Sequence, residues 1–169
     1  MKKLLSLSTM FFTLIAVLIS CEKDTEDPNE CNIIFIEDRI TENTTFTEGN
    51  VYIIDINGDW IINNGATLTI EPGVVVKSLR AYQKWSVSDG AKVIANGTQE
   101  KPIIFTSQYD NDHGCDNTGD GTAPKAKDWG QFSFYEVSGS VLNYCHFYYG
   151  GGLLLSTVEI ELSSVNVTN

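Results

Sequence analysis

The sequence predicts an all-β fold, a parallel β-helix of short stacked coils, on three observations. The stretch Trp60-Ile61-Ile62-Asn63-Asn64-Gly65-Ala66-Thr67-Leu68-Thr69-Ile70 is answered by Trp85-Ser86-Val87-Ser88-Asp89-Gly90-Ala91-Lys92-Val93-Ile94-Ala95, so that tryptophans and Gly-Ala pairs both recur after 25 residues. A period of roughly 20–50 residues is the mark of stacked repeats. Leu68 and Ile70 alternate with Thr67 and Thr69, the period of a strand with one buried face. Finally, Glu71-Pro72-Gly73 breaks the strand and Val74-Val75-Val76 resumes at once. Strands joined by such short corners have no room to reverse. They pair instead with the coil above, about 4.8 Å away, which satisfies their backbone groups. No stretch beyond the leader keeps a helical period.

Taken in order, the chain begins with a targeting segment at 1–20. Met1-Lys2-Lys3 is a basic start, Leu4–Ile19 is mostly apolar, and Leu18-Ile19-Ser20-Cys21 resembles a bacterial lipobox. That resemblance implies acylation of Cys21 and a membrane anchor, since acyl chains contribute about 0.8 kcal/mol per buried CH₂. Residues 21–30 follow as an acidic tether, with five acids, one base and no large apolar side chain after Cys21. Such a composition does not bury enough surface to offset its ordering entropy. Acidic runs after a lipidated cysteine also resemble the surface-export signal of Bacteroidota lipoproteins, and the plainer reading is a spacer.

Charge narrows the partners. The formal net charge is −11, and losing Lys2 and Lys3 with the leader takes the chain to −13. So acidic a domain excludes nucleic acid and anionic headgroups as partners. The 149 residues from Cys21 onward make one domain. With Cys21 acylated, Cys31, Cys115 and Cys145 remain, enough for at most one intramolecular disulfide.

Residues 31–56 contain short β runs, Ile33–Ile36 and Val51–Ile56, without the full repeat. They are expected to form an N-terminal β cap, because terminal repeats of a solenoid must close an open edge. Residues 57–169 hold the coils, interrupted by a long acidic loop at 108–128.

Leu68-Thr69-Ile70-Glu71-Pro72-Gly73-Val74-Val75-Val76, Ile94-Ala95-Asn96-Gly97-Thr98 and Pro102-Ile103-Ile104-Phe105-Thr106-Ser107 together resemble the Bacteroidota lipoproteins built on a right-handed parallel β-helix. Trp129-Gly130 and Tyr148-Tyr149-Gly150-Gly151 match the later text of that family. The resemblance covers about 40–155. It implies a right-handed, pectin-lyase-like coil on an outer-membrane, surface-exposed, lipid-anchored protein. Two departures stand out: the family usually continues for more coils, and its glycine-rich step into the tryptophan is here Lys127-Asp128-Trp129-Gly130.

The acidic loop is the first candidate site. Asp110, Asp112, Asp116 and Asp120 place oxygen ligands at alternating positions, as calcium loops do, although no glutamate closes an EF-hand spacing. Calcium is one reading and a solvated acidic insertion is the other. Paired carboxylates in such a loop also suit acid–base cleavage of glycosidic bonds. The alternative function is therefore a carbohydrate-active enzyme, lyase or glycosidase-like, or a fragment of one. A zinc site from His113, Cys115, Cys145 and His146 is disfavoured, because adjacent strand residues point to opposite faces. On that alternation Cys145, Phe147 and Tyr149 point inward, while Tyr144, His146 and Tyr148 point outward. Cys145 then reads as a small core thiol, with a Cys115–Cys145 disulfide as the other option.

Outward aromatics are the second candidate. Tyr144 and Tyr148, with Tyr82 and Trp85, would stack on the apolar faces of sugars, whereas Trp60, Trp85 and Trp129 as core fillers are the competing reading. Val165-Asn166-Val167-Thr168 begins another strand close to Asn169. A paired-strand edge left open there is expected to close against further coils of a longer chain or against a partner. The expectation is a lipid-anchored envelope module that binds glycans or another envelope protein.

Overall fold

The computed structural model describes residues 31–152, 156–161 and 163–169. The leader at 1–20, the tether at 21–30, the acylation expected at Cys21 and the β text at 153–155 lie outside the described residues. Among those described, every regular element is a strand, and every strand pair is parallel. The coil is a right-handed parallel β-helix.

Five coils stack. The first holds β1 (Asn32–Ile36) and β2 (Thr44–Phe46), with Ile40 bridging to Ile62 between them. The second holds β3 (Asn50–Ile54), β4 (Trp60–Ile62) and β5 (Thr67–Ile70). The third holds β6 (Val75–Ser78), β7 (Lys84–Val87) and β8 (Lys92–Asn96). The fourth holds β9 (Ile103–Ser107), β10 (Gln131–Tyr135) and β11 (Ser138–Asn143). The fifth holds β12 (Cys145–Phe147), β13 (Val158–Glu161) and β14 (Ser164–Thr168). Three sheets result: β1-β3-β6-β9-β12, β4-β7-β10-β13 and β2-β5-β8-β11-β14. Residues 31–56, expected as a cap, supply β1 and β2 at the ends of two of these ladders and β3 one step inward.

The repeat period is the ladder register. Trp60 lies opposite Trp85 and Thr67 opposite Lys92, each 25 residues on. The next step is longer: Trp85 lies opposite Phe132 and Ile94 opposite Val141, each 47 residues on. The excess, 47 − 25 = 22, is the length of the acidic insertion. It enters between β9 and β10 and leaves the side-chain register of the following strands unchanged. After it, Val141 opposite Asn166 restores 25. The corner that repeats with this period is built alike in both coils. Asn64-Gly65 and Asp89-Gly90 all have positive φ, and Gly65 N donates to Asp89 O at 2.9 Å. Asparagine, aspartate and glycine are the residues that enter this left-handed region at least cost.

Inside the coils, aromatic rings stack from one level to the next. Trp60 meets Trp85 edge-on at 5.7 Å, Trp85 stacks on Trp129 at 4.6 Å, and Phe105 stacks on Phe147 at 4.8 Å. All three tryptophans are buried, Trp85 completely, so it is a core filler and not an outward sugar platform. Tyr82 does lie outside, 59% exposed.

The first sheet differs from the other two. In β5 and β7, buried residues alternate with half-buried ones, whereas β6 and β9 are buried along their whole length. Their outward side chains Val75 and Ile104 join Val51 and Ile53 in a second apolar cluster, with Ile33, Leu79, Cys31, Cys115 and Tyr148 packed against it. Something covers this sheet from outside. It is the acidic loop.

Candidate functional site

The loop between β9 and β10 folds back over the outer face of the first sheet. Three devices hold it there. A disulfide joins Cys31, just before β1, to Cys115 in the loop. Gly114 lies so close to the sheet that a Cβ on it would come within 2.8 Å of Val51 Cγ2, and its φ of +78° further favours glycine. The third device is Lys77, whose side chain projects from β6 into the underside of the loop and is wholly buried. Its Nζ donates to Asp110 O at 2.7 Å, Cys115 O at 2.7 Å and Asn117 Oδ1 at 3.1 Å. Burial lowers the Lys77 pKa, and the charges of Asp110 and Asp116 oppose that shift.

The aspartates expected to hold calcium have other work. The Asp110 carboxylate is buried, accepting from Thr106 Oγ1 at 2.6 Å and from the Asp112 N–H at 3.1 Å, and paired with His113 Nδ1 at 2.8 Å. Burial alone would raise its pKa; the bonds from Thr106, His113 and Asp112 and the charge of His113 outweigh it, and the net shift is downward. Asp116 Oδ1 accepts the N–H groups of Gly119 and Thr118, and Asp120 Oδ1 accepts that of Thr122. Those backbone bonds lower both carboxyl pKa values. Among the described residues no three His, Cys, Asp or Glu side chains converge on a position fit for a metal ion. The oxygen-rich loop does enclose a cation, and that cation is the ammonium of Lys77.

The cysteine pairing is also corrected: Cys115 bonds to Cys31 and not to Cys145. Cys145 and Phe147 face the main core while His146 is exposed, so the zinc quartet is split between two faces and a disulfide. The free thiol of Cys145 is pushed up to about 12 by burial, only partly offset by its bond to Asn143 O.

Beside the loop, the end of β12 carries the outward aromatics. Tyr148 stacks on His113 with ring centroids 4.6 Å apart and 17° between planes. His146 stands edge-on to Tyr148 at 6.1 Å, with its Nδ1 3.3 Å from the Tyr148 hydroxyl. Tyr149 lies 6.2 Å from Tyr148 on the same side. Alternation had placed Tyr149 inside. Its φ of +62° breaks the strand period and turns the phenol toward the loop, where burial first, then Asp110, Asp112 and Asp128, raise its pKa. Tyr144, the other expected contact, has φ +46° at the corner before β12 and is half-buried, with no contact to this group among those described. The structure thus brings together His113, His146, Tyr148 and Tyr149. Both histidines were visible in the sequence, but only as zinc ligands. Their meeting around Tyr148 depends on the loop being folded back.

A family model described as a pectate-lyase-like beta helix domain matches residues 38–127. The chain belongs to that family. The match spans the first three coils and runs into the acidic loop, so this pectate-lyase-like β-helix keeps its family pattern through the segment that covers the first sheet. No curated protein and no solved structure matches it at a significant level.

Proposed function

We propose that this β-helix is a binding module of the cell envelope, lipid-anchored through Cys21 at the outer membrane, and that the group His113, His146, Tyr148 and Tyr149 binds glycans. The carrying observation is Tyr148. Its ring is braced face-on by His113 and edge-on by His146, on a strand of a paired sheet and beside a disulfide-clamped loop. A ring fixed in advance stacks on a sugar face with little entropy lost on binding. A structural disulfide also fits an oxidising compartment, in line with export through the leader. Cleavage of glycans is the weaker reading, because the Asp110 carboxylate is sealed from solvent and those of Asp116 and Asp120 cap their own turns.

Two experiments test the proposal. A glycan panel with the Cys21→Ser protein should give binding without release of products, and Tyr148→Ala should weaken it about tenfold, the loss expected for one stacking ring. Unchanged binding in Tyr148→Ala would remove the platform from the argument. For the anchor, Cys21→Ser should move the protein from the membrane to the soluble fraction of its host. Retention in the membrane fraction would sink the lipid reading.

A further inference from the structure

The aromatic group sits in a one-signed field. Tyr149 feels Asp110, Asp112 and Asp128, and no lysine or arginine offsets them there. The cations nearest in the fold are committed elsewhere: Lys77 is enclosed beneath the loop, Arg80 pairs with Asp55 at 2.6 Å, and Lys101 pairs with Glu48 at 2.5 Å. Of the acids, Asp110 is buried against Thr106 and His113, and Asp128 accepts from Ser107 Oγ and the Lys125 N–H, whereas Asp112 is exposed. The whole chain adds a net charge of −11. A polyuronate, for which the family is named, carries one carboxylate per sugar and would have to approach this surface against its charge. At physiological salt the screening length is about 8 Å, short enough for local charges to decide.

Resting on the glycan reading above, we infer that the face of His113, Tyr148 and Tyr149, with Asp112 at its rim, takes glycans bearing free amino groups, of the glucosamine type, and refuses uronate polymers. A protonated amine gains the face of a tyrosine ring and the Asp112 carboxylate together, and an acetylated amine gains neither.

The test is calorimetric titration of the Cys21→Ser protein with three oligomers of equal length: glucosamine, N-acetylglucosamine and galacturonate. The expected order is glucosamine at least tenfold tighter than N-acetylglucosamine, with galacturonate unbound. Raising the salt and the Asp112→Asn variant should each narrow the first gap. Tyr148→Ala should abolish glucosamine binding, which separates the site from attraction to the acidic chain at large; persistence there would overturn the inference. Equal binding of the amino and acetylated oligomers, or a preference for galacturonate, would overturn the charge selection and leave the glycan reading standing. Failure of all three to bind would overturn both.

Discussion

Lys77→Met is expected to lower the stability of the β-helix by about 3 kcal/mol, measured by urea unfolding. The methionine keeps the packing of the lysine stem against Val75 and Val51, so the loss belongs to the ammonium. Without it, the Asp110 and Cys115 carbonyls face an apolar side chain under a closed loop, and a buried acceptor without a donor costs about 1–3 kcal/mol. Hydrogen exchange should show residues 108–128 opening before the sheets do, since the loop is held by these contacts and the sheets by their ladders. Calcium or a chelator should leave the midpoint of the unaltered protein where it is, because the loop oxygens are arranged around Lys77. A change under about 0.5 kcal/mol in the variant would show that Lys77 is not the anchor. A rise in midpoint with calcium would show that the aspartates rearrange to take a metal.

Removing the Cys31–Cys115 bond, by reduction or by serine at both positions, is expected to cost as much or more. The bond spans 84 residues of sequence, and a closed loop of that size removes about 4–5 kcal/mol of chain entropy from the unfolded state, an upper figure for the loss. Reduction also frees the covering loop from β1, and the apolar face at Val51, Ile53, Val75 and Ile104 should then bind a hydrophobic dye. Thiol counting checks the pairing directly. The Cys21→Ser protein, unfolded without reductant, should show one free thiol, that of Cys145. In the folded protein this thiol should resist alkylation, since burial keeps it protonated far above neutral pH. Three thiols in the unfolded protein would refute the disulfide.

The coil was legible before any coordinates because its period is written in covalent spacing. Trp60 and Trp85, or Asn64-Gly65 and Asp89-Gly90, recur at 25 residues, and parallel stacking turns that spacing into direct neighbourhood. The covered face of the first sheet left a sequence trace too. Val51-Tyr52-Ile53-Ile54, Val74-Val75-Val76 and Ile103-Ile104-Phe105 are continuous apolar runs where Thr67-Leu68-Thr69-Ile70 alternates, and continuous runs mark strands buried on both sides. Reading that contrast would have predicted a cover for this sheet, and the acidic loop is the long insertion available to make it.

The site was not legible in the same way. Asp110, His113 and Cys115 look, in a row, like ligands facing solvent or metal. Their actual partners are Thr106 beside them, Tyr148 one coil on, Lys77 two strands back and Cys31 at the start of the first strand. A local pattern of backbone hydrogen bonds and side-chain period determines strands, corners and register, so the sequence by itself settles the β-helix and its 25-residue step. An irregular loop has no such period. Where it lies is decided by which distant apolar face it can cover and which buried charge it can satisfy, and only the tertiary structure brings those groups together.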